Sequence, residues 1–192
     1  MPAANHAAME FLLTRRSRPA KTLAAPGPDR AALAPILRAA LRSPDHGKLE
    51  PWRLVVLERA ALDRLARAAR ERGAALGLAA RDIDKGAGQF ADSPLTVAVV
   101  SAPVTSDKVP QVEQVCSAAA VCLSLLNAAL ASGWGANWLT GWPAHDADFR
   151  RDALGLAAHE RIVGFVHVGT ETVAPPERPR PDPEKVVTWL SA

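Results

Sequence analysis

The chain has 192 residues, which bounds it to one domain with a sizeable core or two very small ones. It is 48% hydrophobic and 22% charged with mean hydropathy at zero, values that exclude disordered, collagenous and disulfide-framework classes. The net charge is +3, and the first 72 residues hold 14 Lys and Arg against 7 Asp and Glu. Arginine predominates, which suits planar bidentate contact with an anion, but no zinc-finger spacing, basic zipper or RNA-binding aromatic signature accompanies it. A nucleic-acid partner is therefore not expected.

In chain order, Met9, Leu12 and Leu13 at helical spacing predict a helix over 7–14, stopped before Pro19, with Arg15, Arg16, Ser17 and Arg18 at its end. A second helix is predicted over 29–42, N-capped by Asp29, with Leu33, Ile36, Leu37 and Leu41 on one side and Pro44 as its stop. Leu54 to Leu57 reads as a buried strand. Ala60 to about Ala80 reads as an outer helix weakened by Gly73 and Gly77. Leu95 to Val100 is a β-branched strand, and Gln111 to Ser132 a long neutral helix ended by Gly133.

Between Ser93 and His145 only Asp107, Lys108 and Glu113 carry charge. The long helix lacks basic flanks and is diluted by Ala, Ser and Asn127, so a core or dimer-interface helix is expected rather than a membrane span. Cys116 and Cys122 lie about 120° apart on that helix and are expected to be buried free thiols. Strands follow at 136–139 and 161–168, without regular strand–helix alternation. The expectation is therefore an α+β fold with a mainly antiparallel sheet, in one domain over 1–192.

Residues 171–192 form a proline-rich arm ending in strand-like Val186 to Leu190. Either it reaches a neighbour's sheet edge or it is a loose solvated tail. No secretion signal opens the chain, and a cytoplasmic location is expected.

Several chemistries lack a footing: there is no strand-linked GxGxxG, no GxxxxGK[ST], no GxSxG and no HExxH. His159 and His167 have no further ligands near them, so no metal is expected. What remains suits an anionic, planar ligand. Arg15, Arg16 and Ser17 offer guanidinium forks and a hydroxyl at a helix end, where the helix dipole alone also favours arginine. Arg42 to His46 follows a helix and leads to Pro51 and Trp52, and it also reads as a plain turn. In Gly133 to Thr140 the glycines let backbone approach a ring that Trp138 would flank, although a core tryptophan fits the same residues.

Taken in order, RRS at 15–17, RSPDHGKLEPW at 42–52, the neutral helix into GWGANWLT at 133–140, and RIVGFVHVGT at 161–170 resemble the nitroreductase family, most closely its short branch. The resemblance implies an intertwined homodimer with central antiparallel sheets flanked by helices, FMN at the subunit interface, and two-electron transfer from NAD(P)H to a small-molecule electron acceptor such as a nitroaromatic or quinone. It matches Arg15, Arg16, Ser17, Arg42, His46, Trp138, Leu139 and Thr140 to FMN contacts, with Arg42 and His46 supplied across the interface. It matches Ala128, Ala129, Leu130, Ala131, Ser132 and Gly133 to the nicotinamide nucleotide, and it implies no catalytic side chain.

Arg18, Lys21 and His46 are candidates for stabilising reduced flavin, and Arg178, Arg180 and Lys185 are the only basic residues of the tail. Trp134 and Trp142 are expected to narrow the pocket. A flavin-binding module without turnover, another flavoenzyme reaction on the same fold, and an interaction scaffold stay open as rival readings.

Overall fold

The computed structural model describes residues 3–191. Helix α1 (His6–Thr14) is capped by Asn5, whose side chain accepts from the Ala8 amide. It buries no residue, leaving Met9, Leu12 and Leu13 uncovered. A turn of 3-10 helix leads into β1 (Leu23–Ala24), a two-residue strand that sequence periodicity does not foretell. Helix α2 (Arg30–Ala40) starts where expected, because the Asp29 carboxylate accepts from the Ala32 amide. It buries Leu33 and Ile36 but leaves Leu41 exposed.

Strand β2 (Trp52–Leu57) is an edge strand buried at only one of its residues, not the fully buried strand expected. The helix expected over 60–80 is α3 (Arg59–Ala75), which ends earlier, and a further helix that was not expected, α4 (Ala80–Ala91), follows it. The two are separated at Gly77, whose φ of +66° gives the chain a reversal that other residues adopt only with strain.

Strand β3 (Leu95–Ser101) is buried throughout, and α5 (Gln111–Ala131) follows it. After Gly133, at φ +84°, the chain enters β4 (Gly135–Leu139), the short α6 (Trp142–His145), a π-helical turn over Phe149–Ala153 and β5 (Arg161–Glu171). The tail carries one helical turn, α7 (Pro183–Val186), started by Asp182 and Pro183. The strand expected over 186–190 does not form. Among the described residues no strand pairs with it, and Trp189 and Leu190 are 91% and 94% exposed.

The strands form one five-stranded sheet in which β5 is central. It pairs antiparallel with β3 on one side and β4 on the other, β3 pairs with β2, and β1 pairs with the C-terminal end of β5. Two apolar clusters cover its faces. One holds Phe90, Leu62, Leu65 and Phe165 beneath α3 and α4, with Phe90 edge-on to Phe165 at 5.1 Å. The other holds Val97, Val99, Val121, Leu125 and Val166 beneath α2 and α5. Each such fully buried large side chain contributes about 1.5–3 kcal/mol, which is what commits the two helical layers to the sheet.

Helix α5 is the one described helix long and apolar enough to cross a membrane. Its Val121, Cys122, Leu125 and Ala129 face is buried in the second cluster, so it is a core helix. Its other face leaves Val112, Val115 and Leu123 exposed. Cys122 is buried as expected, and its thiol is pushed well above its ordinary range by that burial. Cys116 is exposed, contrary to expectation, because it falls on the uncovered face.

Candidate functional site

A cleft of about 560 Å³ opens between the end of β4 and α4. Its floor is Trp138, Leu139 and Thr140, continued by Gly141 and Trp142, and its roof is Asp82, Lys85, Gly86 and Gln89. A smaller hollow of about 230 Å³ shares Lys85, Gln89 and Leu139 with it and extends to Ala20 and Lys21. The roof follows from the helix break at Gly77. With α4 folded back on α3, Gly73 receives Ile83 so closely that an added Cβ would meet Ile83 Cγ1 at 2.9 Å. The α4 residues of the cleft went unread in the sequence because the segment carries glycines and charges instead of an apolar helical repeat.

The first basic cluster lies on a segment that runs beside β4, but Arg15, Arg16 and Ser17 line neither the cleft nor the smaller hollow. The Arg18 amide donates to the Ala136 carbonyl at 2.8 Å, and the Asn137 side-chain amide donates to the Arg18 carbonyl at 2.7 Å. These bonds tie the 15–21 segment alongside β4. Arg15 Nη2 donates to Ser17 Oγ at 3.2 Å. Arg15 Nε and Arg16 Nη1 are buried without a hydrogen-bond partner among the described residues. Burial, and after it the nearby charge of Arg180, lowers the affinity of Arg15 for its proton. Arg180 joins the cluster from the tail by donating to the Arg15 carbonyl at 3.3 Å.

Unpaired buried guanidinium donors are costly, and an anion bound there removes the cost. Together with the mostly apolar cleft, this donor set fits a planar group carrying a phosphate, as FMN does. Arg18 differs from its neighbours, since it already pairs with Glu171 at 3.3 Å.

Arg42 and His46 lie elsewhere. Both are exposed, and His46 Nδ1 meets Glu113 Oε2 at 2.7 Å near the start of α5, where His46 borders a separate hollow of about 320 Å³ with Cys116 and Ser117. Within one chain they do not share the cleft of Trp138 to Thr140. Ala128 to Gly133 close α5: Ala129 is buried in the core, Ser132 and Gly133 are exposed, and none of the six lines the cleft. Trp134 packs against the second core cluster, whereas Trp142 is a cleft wall. Among the described residues no cluster of His, Cys, Asp or Glu is placed to hold a metal.

A polar row crosses the sheet behind the cleft. Thr96 Oγ1 donates to Ser93 Oγ at 2.9 Å, so it accepts from Nδ1–H of the fully buried His167, also at 2.9 Å. His167 Nε2 is left as a bare, buried lone pair, and burial pushes its pKa down to about 4, keeping the ring neutral.

A sheet of this topology with a cleft between its edge strand and a helical roof defines an α+β nitroreductase-like fold. The nitroreductase family model matches residues 12–170, and the chain belongs to that family. It is similar to "Putative NAD(P)H nitroreductase YdjA" of Escherichia coli (strain K12), 34% identical over 184 residues, covering 95% of this chain and 99% of that protein. It is also similar to the "Putative NAD(P)H nitroreductase" of Haemophilus influenzae, 33% identical over 165 residues, covering 85% and 88%.

Among solved structures, a nitroreductase-like family protein from Bacillus cereus matches all of both chains at a TM-score of 0.79 and 21% identity. An FMN-dependent nitroreductase from Clostridium difficile R20291 matches at 0.67 and 18%, covering 94% and 98%. These likenesses establish the shared fold.

Proposed function

We propose that the protein is an FMN-dependent oxidoreductase of the cytoplasm that transfers two electrons from NAD(P)H to a nitroaromatic, quinone or similar small acceptor. The observation that carries this reading is the pair of buried guanidinium nitrogens of Arg15 and Arg16, unpartnered among the described residues, on a segment tied to strand β4, whose end forms the floor of the cleft. The family relatives named for NAD(P)H and the neighbour named for FMN support it.

When bound, FMN supplies hydride acceptance and donation, so no nucleophilic side chain is needed. Arg15, Arg16 and Ser17 would hold its phosphate, and Trp138, Leu139 and Thr140 would flank its ring. Residues 128–133 are assigned to the nicotinamide nucleotide by resemblance alone.

The assembly in this reading is a homodimer of single-domain subunits with flavin at the interface. Support comes from the uncovered Val112, Val115 and Leu123 of α5, from exposed Trp189 and Leu190 on the 171–192 arm, and from Arg42 and His46 standing apart from the cleft of their own chain. A second subunit would cover the first set and deliver Arg42 and His46 across the interface.

The test is visible absorbance of the purified protein with anaerobic NADH or NADPH, alongside light scattering for mass. A flavin band near roughly 450 nm that either coenzyme bleaches, in a dimer, is expected. A protein that stays colourless after incubation with FMN would overturn the reading, and a yellow protein that neither coenzyme reduces would reduce it to a flavin-binding module.

A further inference from the structure

Trp142 is held at three points on the wall of the cleft. Its Nε1 donates to the Asp82 carbonyl at 3.1 Å, its ring meets Phe149 edge-on at 5.8 Å, and the pyrrole side of the indole lies in a notch where α4 has no side chain, at Gly86. A Cβ on Gly86 would overlap the indole nitrogen and meet Cε2 at 2.7 Å, and one on Gly73 would meet Cζ2 at 3.4 Å. The notch therefore exists because both helices carry glycine where the indole sits. It fixes a large, rigid ring between the roof and the end of β4.

The cleft is about 560 Å³. That is a mid-range small-molecule site, since such sites span roughly 300–1,000 Å³. If it admits a flavin ring beside Trp138, the remaining space is bounded by Trp142 in the same lining.

Resting on the function proposed above, we propose that Trp142, seated in the notch at Gly86, sets the size limit of the electron acceptor and confines the cleft to compact single-ring compounds. Gly86 is a positioning residue that acts through the indole. A fused two-ring acceptor meets the indole edge, and the three-point seat prevents that edge from swinging aside. Enlarging the space beside Trp142 relieves the clash without altering the basic cluster.

The experiment measures equilibrium binding of two non-reducible probes, benzoate and 2-naphthoate, to the FMN-loaded protein by titration calorimetry. Wild type is expected to favour benzoate. Trp142→Ala is expected to shift the ratio of the two dissociation constants toward 2-naphthoate by about tenfold or more. Trp142→Phe is expected to shift it in the same direction by less, and it decides the matter if the alanine variant fails to fold. Gly86→Ala is expected to change the ratio in the wild-type background and to have no effect on it in the Trp142→Ala background, which a merely structural role would not produce.

An unchanged ratio in Trp142→Phe and Trp142→Ala, with both probes bound, overturns the size limit alone. If neither probe binds the wild-type protein, the cleft is not the acceptor site, and the functional reading of the cleft falls together with this proposal.

Discussion

Trp138 occupies the space above Gly164: its Nε1 donates to the Val163 carbonyl at 3.2 Å, and a Cβ on Gly164 would overlap the indole while meeting Cys122 Sγ at 3.0 Å. The floor of the cleft is thus set by a glycine on the neighbouring strand, facing the α5 core. Gly164→Ala is expected to tilt Trp138 out of place and cost about 1–3 kcal/mol by overpacking. Denaturant unfolding reads the stability and flavin fluorescence quenching reads FMN affinity. Loss of stability with unaltered FMN affinity would show that Trp138 does not support the flavin.

The unpartnered nitrogens of Arg15 and Arg16 lead to a sharper expectation. A charged hydrogen bond of the kind they offer a phosphate is worth about 1.5–3 kcal/mol. Arg16→Ala is therefore expected to weaken FMN binding by about ten- to a hundredfold, while binding of riboflavin, which lacks the phosphate, barely changes. Parallel fluorescence titrations of the two flavins decide it. Equal weakening of both would remove Arg16 from the phosphate site.

What was legible in the sequence divides along physical lines. Strand β3 is uncharged and helix α5 carries only Glu113, and their burial follows from apolar content that only a core accommodates. Helix α4 was not legible. Its helical state depends on α3 presenting Gly73 to Ile83, and on Trp142 filling the space at Gly86, both tertiary contacts. Because α4 was missed, Asp82, Lys85 and Gln89 were missed as cleft residues. Strand β1 likewise exists only through pairing with Thr170 and Glu171. Arg15 to Ser17 and Trp138 to Thr140 were picked out by ligand chemistry and family resemblance, and the structure puts their segments side by side through Arg18 and Asn137. Arg42 and His46 were picked out on the same basis, and one chain alone does not bring them there.

Two groups predict how stability depends on pH. Glu160 receives Arg53 Nε at 2.6 Å and Nη2 at 2.9 Å, and the Ala157 amide at 2.8 Å. Arg53 is the main cause that holds its pKa down to about 2 from the usual 4.5, so its stabilisation is present above pH 4.5 and is lost as pH falls toward 2. His167 works through its neutral form. The unfolded chain takes up a proton near pH 6.5, while the buried ring resists until about 4, so stability declines as pH falls between those values.

Thermal unfolding of wild type is therefore expected to weaken in two stages on acidification. His167→Gln should flatten the upper stage. Glu160→Gln should flatten the lower stage and cost about 1–3 kcal/mol at neutral pH. An upper stage that persists in His167→Gln would assign that slope to another group.

The cations near the cleft are not equivalent. Arg18 already faces Glu171 at 3.3 Å, whereas Lys21 borders the smaller hollow and forms no ion pair among the described residues. A positive charge beside a bound flavin favours its anionic reduced form and raises its potential, and a carboxylate partner cancels most of that field. Lys21→Ala is therefore expected to lower the midpoint potential of bound FMN by about 10–20 mV, equal to roughly 0.5–1 kcal/mol for a two-electron couple. Arg18→Ala should lower it as well, because removing Arg18 leaves the Glu171 carboxylate uncompensated, and the double change Arg18→Ala with Glu171→Gln should restore the wild-type value. Anaerobic dye-equilibrated titration measures all three, and a larger negative shift in Arg18→Ala than in Lys21→Ala would place the flavin beside Arg18 and away from the hollow that Lys21 borders.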